Sequence, residues 1–150
     1  LCLLEGTNLS EGRGTETPFM LVGAPWLDNQ KLYEKLVTIK DPMDNFELIE
    51  FIPKSIPAAK YPKYEGEKCF GLQIHYLTNP IEWTVQLLTI IKSMYPEQFR
   101  FLKSNFIDKL YGSDEFKISI EKGKDFNQII EQFLIDEEEF LSKRKNYLIY

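Results

Sequence analysis

The amino-acid sequence predicts an α+β domain, in which a small mixed sheet is followed by a helical C-terminal half. Two observations indicate this fold class. Short apolar or alternating segments, typical of β-strands, fall within the first 77 residues. The remaining residues contain longer segments with an apolar residue at every third or fourth position, as in amphipathic helices. Strands that come first and helices that follow favour α+β over an alternating α/β architecture.

Composition limits the class of protein. The chain has 150 residues, of which 43% are hydrophobic and 14% aromatic, enough for one domain with a real core. A net charge of -5 gives no reason to expect nucleic acid or an anionic membrane as partner. No apolar run approaches the roughly 20 residues that span a bilayer. With two cysteines and one histidine, we expect no metal site, and nothing suggests an organic cofactor.

The start of the chain is expected to be a buried strand over residues 1–5, because Leu1-Cys2-Leu3-Leu4 is almost wholly apolar. Residue 1 is not Met, and no secretory signal pattern precedes this strand. We therefore interpret the chain as a fragment that lacks an upstream partner. Residues 6–18 are rich in Gly, Ser, Thr and Asn, which predicts a loop.

Three more strands complete the predicted sheet, at Phe19–Val22, Glu47–Ile52 and Cys69–Leu77. Between the first two, Asp28 is expected to cap a helix that ends near Val37. Residues 53–66 contain several prolines and are predicted to form a long irregular loop, a kind of segment that is often functional. In the last strand, alternation divides the side chains between two faces: Phe70, Leu72, Ile74 and Tyr76 on one, and Cys69, Gly71, Gln73 and His75 on the other.

Three helices are predicted in the second half. Asn79 followed by Pro80 and Glu82 is a typical helix start, and the apolar period continues to Met94. A second helix is expected from Ser113 to Gly123, and a third from Asp125. The apolar stripe of the third consists of Phe126, Ile129, Ile130, Phe133, Phe140 and Leu141, and its acidic run Glu137–Glu139 is expected to be a solvated face.

The most informative segment for chemistry is the loop at residues 4–15. It combines Glu5, Glu11 and Arg13 with three glycines, which let a backbone approach a ligand closely. No Gly-Lys-Ser/Thr sequence is present, so a nucleoside triphosphate loop is excluded. The alternative is a solvated connection whose glycines only form turns.

Several residues could act on or bind a sugar. Glycoside hydrolysis usually needs two carboxyl groups, which Glu5 and Glu11 could supply, although a single loop that supplies both is not favoured. Histidine, present once as His75, is the side-chain type whose unperturbed pKa lies near neutrality. The planar fork of Arg13 suits a carboxylate anion. The alternatives are an arginine that braces the loop through backbone carbonyls and a histidine with a structural role. Aromatic faces that could stack on a sugar belong to Trp26, Tyr61 and Tyr64.

The motifs "LCLLEGTNLSEGRGTETPF", "GAPWLD", "YEGEKCFGLQIHY" and "YLIY" occur in this order along the chain. In order and spacing they resemble the NamZ-type exo-β-N-acetylmuramidase family, and the resemblance covers essentially the whole chain. It implies the smaller C-terminal domain of a two-domain protein, with a Rossmann-like N-terminal domain that is absent here. The stretch from Ile56 to Pro62 departs from the family pattern, being longer and proline-rich, so the resemblance assigns it no substrate role.

The resemblance also implies a function. Such proteins release N-acetylmuramic acid from the non-reducing end of peptidoglycan fragments, at a cleft between their two domains. The principal catalytic glutamate is expected in the N-terminal domain, so the fragment alone should be inactive. A bacterial periplasmic or extracellular location and a role in cell-wall recycling are also implied. The positions carried over as cleft-lining, substrate-binding candidates are Glu5, Asn8, Ser10, Glu11, Arg13, Trp26 and His75.

Three finer expectations complete the sequence-based hypothesis. Arg13 should recognise the lactyl carboxylate of muramic acid, oriented by Glu5 or Glu11. Cys2 and Cys69 should lie on neighbouring strands without an obligatory disulfide. The alternatives to a hydrolase domain are a non-catalytic sugar-binding or interface module and a purely structural domain, the latter favoured if Arg13 is buried against backbone.

Overall fold

The computed structural model describes residues 1–149 and has the α+β architecture that the sequence predicts. Two short 3-10 helices, Cys2–Gly6 and Lys145–Tyr147, lie near the ends of the described part of the chain. Between them, three strands and five α-helices follow in the order β1 (Leu21–Ala24), α1 (Asn29–Val37), β2 (Asn45–Phe51), β3 (Cys69–Tyr76), α2 (Pro80–Met94), α3 (Phe106–Tyr111), α4 (Glu115–Glu121) and α5 (Phe126–Arg144).

The sheet has the strand order β1-β3-β2, and β3 pairs antiparallel with both neighbours. The expectation of a mixed sheet is therefore wrong in this detail. The unit β1-α1-β2 makes its two strands run in the same direction, as in a parallel crossover. The later strand β3 lies between them, so no parallel pair forms among the described strands.

The start of the chain is a 3-10 helix and not the strand that its apolar run suggested. Leu4 is buried, but it packs beneath α3 and not in the sheet. Gly6 lies so close to Ile107 of α3 that an added Cβ would stand 2.6 Å from the Ile107 Cα atom. Thr7 ends the turn, since its hydroxyl and its backbone N–H both donate to the carbonyl of Leu4. An apolar run is buried equally well by a helix or a sheet, so composition could not decide between them.

The core occupies one face of the sheet. Leu72 and Ile74 of β3 are buried there under α1 and α2, as the alternation predicted. Tyr76 on the same predicted face is exposed, because β3 ends there. A second small cluster covers the opposite face, where Tyr64 of the 53–66 loop packs over Cys69. That loop is irregular, as expected.

Three of the predicted helix starts are confirmed by their caps. The carboxylate of Asp28 accepts from the N–H of Lys31, and the side chain of Asn79 accepts from that of Glu82. Asp125 forms a reciprocal capping box with Gln128 at the start of α5.

The smaller helices differ from the prediction. Helix α4 begins at Glu115, and Ser113 only accepts a hydrogen bond from its N–H. Gly123 follows α4 with a φ of 71°, in the expected role at its end. Helix α3 was not predicted, because its six residues are too few to show a period. The apolar stripe of α5 reaches the core through Ile129, while Phe140 and Leu141, at the other end of the stripe, are exposed.

The cysteines do not lie on neighbouring strands, which corrects that expectation. Cys2 is exposed in the first 3-10 helix, whereas Cys69 is buried in β3, and both are free. Burial raises the pKa of the Cys69 thiol from its ordinary 9.0 to about 12, and the nearby Glu67 carboxylate adds to this effect. The folded protein therefore holds the Cys69 proton more tightly than the unfolded chain does.

We predict that a thiol reagent labels Cys2 in the native protein at pH 8 and labels Cys69 only after denaturation, because the thiolate is the reactive form. Mass spectrometry of the labelled peptides provides the measurement, with Cys2→Ser as the control that should remain unlabelled while folded. Equal labelling of both cysteines in the folded protein would contradict this assignment.

The stability contributed by the Cys69 proton should be intact below pH 9 and fall as the pH rises from 9 toward 12.

Candidate functional site

A cavity of about 330 Å³ opens between the first loop, residues 7–20, and the second loop, residues 53–66. Three of its charged side chains belong to the segment that the sequence singled out, and others come from the second loop. The residues that line it are Glu5, Glu11, Arg13, Lys60, Tyr61, Pro62, Lys63 and Phe106. The fold thus brings together Glu5, Glu11 and Arg13 of the predicted site and adds a wall from the second loop.

Arg13 is held at this cavity by the glycines on either side. Gly12 and Gly14 have φ angles of 79° and 82°, which side chains other than glycine rarely adopt. A Cβ on Gly14 would also lie 2.5 Å from the carbonyl oxygen of Lys54. The N–H of Lys54 donates to the Gly14 carbonyl at 2.9 Å, so the tip of the first loop is fastened to the second. The two glycines therefore have a conformational role, and the side chain between them is presented to the cavity.

The guanidinium of Arg13 pairs with Glu5, with Nη1 lying 3.5 Å from Oε1. The Arg13 side chain is 43% exposed and that of Glu5 is 24% exposed. The purely structural alternative required Arg13 to be buried and braced against backbone. Arg13 is neither. Part of its donor fork stays open toward the cavity.

Lys63 is the residue that sequence reasoning missed. Its ammonium donates to the carbonyls of Leu4 and Leu9 at 2.8 and 2.9 Å, and to the Glu11 carboxylate at 2.8 Å. An ammonium has three protons, so all three are used. Burial lowers the pKa of Lys63, and the Glu11 carboxylate acts against that shift. The lysine thus ties the second loop to both ends of the segment 4–11.

No pattern in the sequence identifies this contact. Lys63 stands in Tyr61-Pro62-Lys63-Tyr64, at the edge of the stretch that departs from the family pattern. The interaction joins residues more than 50 positions apart, and the second loop, which contains Lys63, has no period from which the direction of a side chain could be inferred. The only available indication was a lysine in a proline-rich loop.

Glu11 and Glu5 differ in accessibility. The Glu11 side chain is only 4% exposed, and one of its oxygens is bound by Lys63. Glu5 borders the cavity and is accessible beside Arg13. Of the two carboxylates considered for sugar chemistry, Glu5 is the one placed to meet a ligand, while Glu11 is placed to fix the loop.

Asn8 is occupied in holding the fold together. Its side chain donates to the Gln98 carbonyl at 2.8 Å and accepts from the Arg100 N–H at 2.9 Å. Its own carbonyl accepts from the hydroxyl of Tyr64 at 2.6 Å, and Tyr64 in turn accepts from the indole N–H of Trp26. Burial raises the pKa of the Tyr64 hydroxyl, which therefore remains a donor. These residues support the first loop from behind.

Ser10 and Trp26 also lie within the packed structure. Ser10 is buried, and its backbone pairs with Gly23 of β1, so the first loop is attached to the sheet edge. The ring of Trp26 packs against Tyr95 with their centroids 5.3 Å apart. Tyr61, in contrast, is 86% exposed at the cavity rim and has a φ of 53°, a conformation that is uncommon for a tyrosine. Of the three aromatic residues considered for sugar stacking, Tyr61 has the most open ring.

His75 lies away from this cavity, on β3, where its Nε2 atom is 3.0 Å from a carboxylate oxygen of Glu47 on β2. The structure does not bring it together with Glu5 and Arg13. Within residues 1–149, no group of three or more His, Cys, Asp or Glu side chains is arranged to hold a metal ion. The helices described in this range include none that is long and apolar enough to cross a membrane.

Comparisons of the sequence and of the structure with known proteins agree with each other. The chain is 35% identical to the peptidoglycan β-N-acetylmuramidase NamZ of Bacillus subtilis over 153 aligned positions, which cover 99% of this chain and 35% of that protein. It resembles the crystal structure of a DUF1343 family protein from Bacteroides fragilis, with a TM-score of 0.70 and 30% identity, over all of this chain and 38% of that one. A second DUF1343 family structure from the same species has a TM-score of 0.80 and 20% identity. The match covers 99% of this chain and 40% of that one, and it supports the fold.

The chain therefore spans little more than a third of the length of these relatives. The family model that matches it covers residues 1–150, the whole chain. Its description is the C-terminal part of the exo-β-N-acetylmuramidase NamZ, and the chain belongs to this family.

Proposed function

We propose that this chain is the cleft-lining C-terminal domain of an exo-acting β-N-acetylmuramidase, which releases N-acetylmuramic acid from the non-reducing end of peptidoglycan fragments. The observation that carries the proposal is the cavity where Arg13 and Glu5 meet Tyr61, in a chain related to a peptidoglycan β-N-acetylmuramidase. An N-terminal domain of the same protein supplies the opposite wall and the principal catalytic glutamate. The protein acts in cell-wall recycling, in the periplasm or outside the cell.

Arg13 provides the specificity in this proposal. Muramic acid differs from glucosamine by a lactyl group that ends in a carboxylate, and a guanidinium fork matches that anion in two parallel hydrogen bonds. Glu5 holds one side of the fork at 3.5 Å, which leaves other N–H groups to face the cavity. A charge-assisted pair of this kind contributes about 1.5–3 kcal/mol, enough for roughly ten- to hundredfold selectivity.

Tyr61 completes the proposed subsite. Its exposed ring stands on the rim of the same cavity, opposite the first loop. Aromatic faces pack well against the apolar face of a sugar ring. The second loop, to which the family resemblance assigned no substrate role, thus becomes the aromatic side of the sugar-binding wall.

A non-catalytic sugar-binding module is the second candidate function. It is favoured by the burial of Glu11, which leaves Glu5 as the accessible carboxylate of the two that the first loop offers. In that case the domain would bind the saccharide and contribute nothing to bond cleavage itself.

The direct test of the proposed function measures N-acetylmuramic acid released from peptidoglycan fragments by the full-length protein and by residues 1–150 alone. We expect release by the full-length protein and none by this domain, because a glycosidase needs paired carboxyl groups in fixed geometry. Heat-inactivated full-length protein is the control. Turnover by the domain at a rate near that of the full-length protein would show that the chemistry resides here.

We predict that Arg13→Ala in the full-length protein lowers kcat/KM for a muramic acid glycoside by roughly ten- to hundredfold, from loss of the carboxylate contact. The matched glucosaminide, which has no lactyl group, should be affected far less. Arg13→Lys keeps the charge but loses the planar fork, so it should fall between wild type and Arg13→Ala. An equal loss on both substrates would mean that Arg13 braces the loop.

We predict that Lys63→Met destabilises the protein by about 3–5 kcal/mol, because it leaves the buried Glu11 carboxylate without its counter-charge. The double variant Lys63→Met with Glu11→Gln removes both charges and should recover part of that loss. Thermal unfolding of the full-length protein, followed by near-ultraviolet circular dichroism, compares the two. If the single and double variants unfold at the same temperature, the ion pair does not stabilise the first loop.

A further inference from the structure

Helix α5 carries apolar side chains in its second half that the domain does not cover. Its first half is anchored in the core through Ile129, but from Leu134 onward the described side chains are exposed. Leu134 is 47% exposed, Phe140 63% and Leu141 42%. Leu134 and Leu141 are seven positions apart, about two helical turns, and Phe140 flanks Leu141 on the same side of the helix, so these side chains form a stripe that continues the buried face of the first half. We call residues 134–147 the α5 extension, which includes the 3-10 turn Lys145–Tyr147.

Along the α5 extension, charges of opposite sign lie on the two sides of Phe140 and Leu141. Acidic residues 136–139 precede Phe140 and Leu141, and basic residues 143–145 follow them. Glu137 and Arg144, seven positions apart, lie on the same side of the helix as the apolar stripe. Glu137 belongs to the acidic run that the sequence predicted to be a solvated face, and it therefore lies beside the exposed apolar stripe.

We propose that the α5 extension is a dimerisation surface, on which a second copy of this chain packs in antiparallel orientation. A two-fold axis between Phe140 and Leu141 places Phe140 opposite Leu141 of the second copy. It also places Glu137 opposite Arg144 of the second copy, and the same pair forms again on the other side of the axis. Such a self-complementary patch is what an isologous two-fold interface requires.

The charge pattern selects this occupant over others. A partner surface of one sign would attract one half of the α5 extension and repel the other. A parallel second copy would bring the two acidic runs together and the two basic runs together, which is unfavourable. The antiparallel copy matches opposite charges at both ends, while Phe140 and Leu141 of each copy are buried at the centre.

The dimer should be weak. At 1.5 Å per residue, the α5 extension is only about 21 Å long, so its interface falls at the lower end of the range for specific complexes. We expect association in the micromolar range, and charge steering should make it sensitive to salt. This inference is independent of the proposed hydrolase function, because it uses no residue of the cavity.

The test is sedimentation equilibrium of the full-length protein from about 1 to about 200 µM. Wild type should dimerise, whereas Glu137→Arg and Arg144→Glu should each weaken dimerisation about tenfold or more, because each places like charges in opposition. Mixing the two single variants should restore dimers, now as heterodimers, and the double variant should dimerise like wild type. All these positions are exposed, so the variants are expected to fold.

The control is Glu139→Arg, the same charge reversal on the other side of the helix, which should leave dimerisation nearly unchanged. Circular dichroism melts of each variant verify that the fold is retained. A monomeric wild type across the whole concentration range would overturn the proposal, since another part of the protein would then cover the α5 extension. Single variants that dimerise as strongly as wild type would overturn it as well.

Discussion

The ammonium of Lys63 is the contact on which the geometry of the cavity depends. It lies between two loops that are distant in the sequence and uses its three protons on the carbonyls of Leu4 and Leu9 and on the Glu11 carboxylate. Burying a charge is costly unless it is paired and fully hydrogen-bonded, and here both conditions hold. A glycine-rich segment with little regular structure of its own thus gains a defined shape beside Glu5 and Arg13.

Around this ion pair, hydrogen bonds between neutral groups also hold the first loop in place. Asn8 ties the first loop to the chain after α2, and Tyr64 links Asn8 to Trp26. The backbone pairing of Ser10 with Gly23 adds the loop to the edge of the sheet. Residues that resemble the family motif therefore serve two purposes: some present groups to the cavity, and others hold those groups in place. A rigid support of this kind lets a loop bind a ligand without first becoming ordered.

Electrostatics separates the roles of the two glutamates. The carboxylate of Glu11 is balanced inside the protein by Lys63, whereas Glu5 and Arg13 neutralise each other at the cavity surface, where a ligand can reach them. Under the proposed function, an anionic sugar would therefore approach Arg13 without facing an unpaired negative charge on the same loop. This arrangement suits recognition, and it agrees with the proposal that the principal catalytic acid comes from another domain.

Sequence alone determined the fold class, the caps of α1, α2 and α5, and the family, because local periods and contiguous motifs carry that information. It could not decide whether Leu1–Leu4 is a strand or a 3-10 helix, since only the position of α3 decides what buries an apolar run. It could not separate Glu5 from Glu11 either, or show that Lys63 reaches the first loop. Those distinctions depend on contacts between residues far apart in the chain, and such contacts exist only after the tertiary structure has formed.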